Sequence, residues 1–166
     1  MVSEQPPRIV QFLNRVPIGL YRARLGWLLG GHFLLLTMTG RKTGRTRRVV
    51  LEVARRASGP GSMPTIWVIA SRGRRTDWYA NAVAGGPTTV TWKRLTFTPR
   101  VHALTPAERA ELLADYQRRH PRAAALLGKA ILGAEYTTDP DQLQRLAEEL
   151  RALRLDPPAP DVAAAR

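Results

Sequence analysis

The chain has no cysteine among its 166 residues. That absence removes thiol nucleophiles, thiolate metal ligands and a disulfide framework together, and it fits a reducing cytoplasm. Histidine is scarce too: His32, His102 and His120 stand in separate segments without metal-ligand spacing, so no metal site is expected. No serine lies in a nucleophile-elbow context and no carboxylate pair stands out. Long apolar runs are also missing. The longest, Leu25 to Leu36, contains three glycines and His32 and falls short of the roughly 20 residues a spanning helix needs. The opening MVSEQPPRIV does not read as a signal peptide. These gaps leave a soluble, cytoplasmic chain without visible hydrolytic machinery, and an enzyme of that kind takes its reactivity from a cofactor.

What is present is arginine. Of 26 basic residues all but three are arginine, against 13 acidic ones, for a formal net charge of +13. The distribution is more informative than the sum. Residues 1–107 hold 17 basic and 3 acidic side chains, whereas 108–166 hold 9 and 10. The positive field therefore belongs to the first two thirds and steers an anion there. A nucleic-acid surface would show a broad stripe with aromatics among the charges. Here the aromatics cluster beside a single arginine segment, which suits a pocket, and no nucleic-acid partner is expected.

Periodicity divides the chain into a single α+β domain over 1–156 and a disordered tail over 157–166. An amphipathic helix is expected over 8–29, with Ile9, Leu13, Val16 and Leu20 on one face and Arg8, Arg15 and Arg22 on another. It packs over a core or, as the alternative, lies on the inner face of a membrane. Strands are expected over His32–Thr39, Arg48–Ala54, Thr65–Ser71, Thr88–Lys93 and Leu95–Leu104, five or six in all and mostly antiparallel, with a short helix over Thr76–Val83. Thr105 to Glu108 reads as a capping box with Pro106 at the first helical position. Further helices begin at Pro121 and Pro140. Leu153 and Leu155 either finish the last helix or form a final strand.

The chemistry concentrates in TMTGRKTGRTRR, Thr37 to Arg48. Glycines let a backbone approach a ligand, Thr39 and Thr43 offer hydroxyls, and arginine binds phosphate or carboxylate bidentately. The spacing differs from that of a Walker A loop. The segment is either an anion cradle or a plain hairpin turn with solvated charges. A second basic segment, Ser71 to Arg75, follows the third expected strand and leads into Asp77-Trp78-Tyr79-Ala80-Asn81. Trp78 and Tyr79 suit a planar heterocycle, with core packing as the alternative. Asn81 is either a ligand or a local hydrogen-bonding residue.

LLLTMTGRKTGRTRRVVLEV, then VIASRGRRTDWYANAVAGGPTTVTW, then the LTPAER helix start together resemble the deazaflavin-dependent nitroreductase and quinone reductase family of split β-barrel proteins. The resemblance runs from about Pro17 to His120. It implies an oxidoreductase that binds reduced deazaflavin, coenzyme F420, and passes hydride to an electron-poor hydrophobic substrate such as a quinone, an enone or a nitro compound. It further implies that Arg41, Lys42, Thr43 and Gly44 hold the phosphate region with Arg47 or Arg48 nearby. Ser71, Arg72 and Gly73 match the second binding segment, and Trp78, Tyr79 and Asn81 line the ring pocket. Two departures stand out. After Pro121 the tyrosine-rich segment of the relatives is replaced by RAAALLGKAILGAEY, which leaves Tyr116 and Tyr136 as candidates for a proton donor or lid, with Tyr79 as a further catalytic candidate, and nitroimidazole reduction is not carried over. RALRL stands where a β-branched strand is usual. The rival readings are an FMN-dependent reductase of the same fold and a non-catalytic small-molecule-binding or membrane-docking barrel.

Overall fold

The computed structural model describes residues 31–59, 63–70, 76–132 and 139–158. The expected helix over 8–29 lies outside the described residues, as do the tail from residue 159 on, Tyr136 and the whole segment 71–75. The described chain runs β1 (Phe33–Thr39), β2 (Thr46–Glu52), β3 (Arg55–Ser58), β4 (Pro64–Ala70), α1 (Asp77–Val83), β5 (Thr88–Trp92), β6 (Leu95–Phe97), β7 (Arg100–Ala103), α2 (Pro106–Arg119), α3 (Pro121–Leu132), α4 (Pro140–Glu149) and β8 (Arg151–Asp156).

The strands form two four-stranded sheets, β2-β1-β5-β6 and β3-β4-β8-β7, and every pairing within them is antiparallel. They face one another across Leu34, Leu36, Met38, Ile66, Val68, Val90, Leu153 and Leu155. This is an opened barrel, in which two long segments each serve both sheets. The Val53 N–H donates to His32 O beside β1 at 2.8 Å, and the next N–H, of Ala54, donates to Trp67 O of β4 at 2.9 Å. The hand-over thus takes one residue. Leu95–Leu104 likewise divides into β6 and β7 at Thr98-Pro99, where proline has no N–H to continue a ladder. Where five or six strands are expected, the described residues hold eight.

Helix placement also departs from expectation, because the C-terminal helices do not end the fold. After α4 the chain returns as β8, the strand between β4 and β7. β8 is covered on both faces. Leu153 and Leu155 enter the core between the sheets, while Ala152 lies under the helices with Leu112, Leu113, Leu146 and Leu150. A strand buried on both sides needs apolar volume more than β-branching, which is how RALRL serves here. Its Arg154 stays at the surface, with Nε donating to Asp156 Oδ2 at 3.0 Å.

The capping box forms as expected. The Thr105 hydroxyl accepts from the Glu108 N–H at 3.3 Å and the Glu108 carboxylate accepts from the Thr105 N–H at 2.8 Å. Arg109, only 6 % exposed, reaches from α2 to donate to the Leu150 carbonyl at the end of α4. The two helices are thereby tied together above β8.

Candidate functional site: a cationic cleft beside α1

The β1–β2 hairpin closes through Gly40 to Arg45. Gly40 N–H donates to Arg45 O at 2.8 Å, and the Thr43 and Gly44 N–H groups donate back to Gly40 O at 3.2 and 2.8 Å. Each glycine has its own reason. Gly44 sits at φ +65° in open space, so the need is conformational, whereas a Cβ at Gly40 would press to 3.2 Å from both Arg45 O and Thr43 Oγ1. The turn therefore directs its backbone donors inward. An anion here meets side chains rather than a nest of N–H groups.

Those side chains line a cleft of about 370 Å³ between the hairpin and α1, formed by Met38, Gly40, Arg41, Lys42, Thr43, Arg47, Arg48, Val49, Asp77, Trp78 and Asn81. Lys42, Thr43, Arg47 and Arg48 are exposed. Arg41 plays a different part. Its N–H and its guanidinium both donate to Asn81 Oδ1, at 3.2 and 2.9 Å, and the guanidinium also lies 3.4 Å from Asp77 Oδ1. Asn81 is 8 % exposed, so Arg41 straps the turn to a fixed point on α1. Trp78 packs against the inter-sheet core and meets the ring of Tyr79 edge-on, centroids 6.2 Å apart at 73°.

The cleft brings together Arg41, Lys42, Thr43, Arg47, Arg48, Trp78 and Asn81 from the expected set. Thr39, Gly44 and Tyr79 are not among its lining residues. Thr39 lies against Gly86 and donates its N–H to Pro87 O at 3.2 Å, Gly44 shapes the turn, and Tyr79 meets the edge of Trp78. Ser71, Arg72 and Gly73 lie outside the described residues.

Tyr116 stands apart from the cleft, on α2. Its hydroxyl donates to Glu52 Oε1 at 3.0 Å. Burial, then the neighbouring Glu52 carboxylate, pushes its acidity well below that of an ordinary tyrosine. It is a poor proton donor as a result.

Sequence reasoning passed over Asp77 and Glu52. The signal was available, since they are two of only three acidic residues before Leu104. An isolated carboxylate in a basic region has a partner to hold, and here the partners are Arg41 and Tyr116. Among the described residues no group of three or more metal-ligating side chains occurs, and no helix is long and apolar enough to cross a membrane.

Residues 19–125 match the family model described as F420H(2)-dependent quinone reductase. No curated protein sequence matches the chain. Among solved structures, the chain is similar to an F420-H2 dependent reductase, FDR-A, with a TM-score of 0.51 at 18 % identity over 75 % of this chain and 94 % of that one. A putative 5-nitroimidazole antibiotic resistance protein from Bacteroides thetaiotaomicron gives 0.50 at 7 % identity over 82 % and 78 %. An FMN-binding protein related to pyridoxamine 5'-phosphate oxidase from Nostoc punctiforme gives 0.50 at 14 % identity over 94 % and 83 %. These likenesses are likenesses of fold. The family match spans well over half of the sequence and includes both the hairpin and α1: the chain belongs to the F420H(2)-dependent quinone reductase family and is an oxidoreductase of that family.

Proposed function

We propose that the cationic cleft is the F420 site and that the chain reduces a small, electron-poor organic molecule such as a quinone, an enone or a nitro compound. The observation that carries this reading is the mixed lining of one cleft. Lys42, Arg47 and Arg48, with the Thr43 hydroxyl, make one part of it cationic and polar, and Val49, Trp78 and Met38, which pairs with Arg47 across the hairpin, make another part apolar. Phosphate and carboxylate groups suit the first part and a planar ring suits the second. Reduced F420 supplies the hydride when bound. The protein's own contribution is to anchor the anionic groups, hold the ring toward Trp78 and exclude water from that part. Positioning of this kind accounts for a large share of a bimolecular barrier. Arg41 and Asn81 contribute by fixing the distance between turn and helix.

The FMN reading differs in how much anion it asks the cationic part to hold. A long polyanion uses all three cations, whereas a single phosphate needs fewer. The decisive measurement is a fluorescence titration with F420 and with FMN, repeated with Lys42→Ala/Arg47→Ala/Arg48→Ala. Each exposed cation contributes about 1 kcal/mol, so the triple variant should bind F420 roughly 100-fold more weakly, with a shallower salt dependence and an unchanged circular-dichroism spectrum. Equal or tighter binding of FMN, or an unaltered F420 affinity in the variant, would sink the proposal.

A further inference from the structure

A second cavity adjoins the cleft. It measures about 150 Å³ and is lined by Val50, Leu51 and Glu52 of β2, Ala54 at the hand-over between sheets, Ile69 of β4, Trp78 and Tyr116. Trp78 lines both cavities, and β2 runs from one to the other: Arg47, Arg48 and Val49 are among the residues lining the cleft, and the next three are among those lining this slot. Adjacent strand residues rise about 3.3 Å, so the two spaces follow one another along a single strand.

The slot is half-open, and its volume of about 150 Å³ matches one benzene-sized ring. Its chemistry narrows the choice again. Among the described lining residues Val50, Leu51, Ala54, Ile69 and Trp78 have apolar side chains, and the polar side chains are those of Tyr116 and Glu52. Tyr116 O–H is directed at Glu52 Oε1. With that hydrogen engaged, the two groups present lone pairs, those of the carboxylate and of the phenolic oxygen. Burial keeps Tyr116 protonated throughout the working pH range, so their polarity is fixed. A bare carbonyl oxygen would set acceptor against acceptor, whereas a hydroxyl would donate to a carboxylate, one of the stronger hydrogen bonds a site can offer.

We propose that this slot is the substrate subsite, and that it selects a single six-membered ring bearing a hydroxyl that donates to Glu52. The electron-poor substrates of this class are hydroxylated cyclic enones and hydroxyquinones. Its role as a substrate site rests on the F420 reading above. Its preference for one ring with a hydroxyl stands on the slot alone, and can be measured without coenzyme.

Two-dimensional NMR of the full chain, titrated with phenol and with anisole, reads that preference directly. Phenol should shift the amides of Val50, Leu51, Ile69 and Trp78, and anisole, the same ring with its hydroxyl methylated, should bind at least ten-fold more weakly. Val50→Phe should abolish phenol binding by filling the slot. Glu52→Leu, at an exposed position, should bring phenol and anisole within two-fold of each other. Equal binding of the two probes, shifts confined to other residues, or a Glu52→Leu variant that still discriminates would overturn the proposal. In turnover with reduced F420, 4-hydroxycyclohex-2-enone should exceed cyclohex-2-enone at least ten-fold in kcat/KM, and Glu52→Leu should erase the difference while leaving F420 affinity unchanged. The two readings fail separately. F420 binding without phenol discrimination removes the slot and keeps the cofactor site, whereas phenol discrimination without F420 binding removes the cofactor site and keeps the slot.

Discussion

The two halves of β2 make a natural comparison. Arg47, Arg48 and Val49 form part of the wall of an open cationic cleft, and Val50, Leu51 and Glu52 form part of the wall of a smaller slot. The first half contributes little to the core: its arginines are exposed, and only Val49 packs against the inter-sheet cluster. The second half is structural, since Leu51 is 8 % exposed within that cluster and Glu52 ties the strand to α2 through Tyr116. One strand thus separates two tasks. On the proposed reading, the charge that would meet a ligand sits outside the core, and the shape that would fit one sits where the core fixes it.

That contrast can be broken by stability measurements. Leu51→Ala removes a core side chain and should cost about 2–4 kcal/mol in denaturant unfolding, whereas Arg48→Ala should cost less than about 0.5 kcal/mol. Similar values for the two would abolish the distinction between the halves. Tyr116→Phe should give a smaller loss, about 1 kcal/mol at neutral pH, from the hydrogen bond to Glu52. Its pH dependence sharpens the comparison. Because the folded state holds the Tyr116 proton more tightly than the unfolded chain does, the contribution is fully present below the ordinary tyrosine pKa of about 10 and falls away as pH rises beyond it. Wild type and Tyr116→Phe should therefore converge in stability above about pH 10. A constant gap between them would place the hydroxyl's effect in packing alone.

How far the sequence reveals this depends on whether each signal is local. Alternation makes β5 visible, because one of its faces lies in the inter-sheet core, β4 shows through its β-branched and aromatic content, and the capping box at Thr105 is a four-residue pattern that needs no partner. TGRKTG was legible as a turn for the same reason. β8 was ambiguous because its pattern reflects burial on two faces by elements far away in sequence. The divisions at Ala54 and Pro99 were hidden because a strand that changes sheets keeps its alternation and changes only its partners. At the site, residue types showed that cations and aromatics gather near one another. Which cation would be engaged internally depends on Asp77 and Asn81, which lie 36 and 40 residues from Arg41, and no pattern in either segment announces that pairing.

Arg41 supplies the finest test of the contrast, because it sits in the cationic half and yet acts as a structural strap. Its guanidinium is about a third exposed and Asp77 is almost wholly so, so the ion pair itself contributes at most about 0.5 kcal/mol to stability. Arg41→Ala should leave unfolding nearly unchanged. It frees the Asp77 carboxylate beside the cleft and loosens the turn from α1, so F420 affinity should fall several-fold. Asp77→Asn separates the two causes. It keeps the Asn81 strap, removes one negative charge from the lining, and should raise F420 affinity about two- to three-fold at low salt, an effect that fades as ionic strength screens it. If Asp77→Asn instead weakens binding as much as Arg41→Ala does, the carboxylate is needed to orient Arg41 toward the ligand. Arg41 would then belong with Lys42, Arg47 and Arg48 as a direct anion contact, and the strap would be Asn81's work alone.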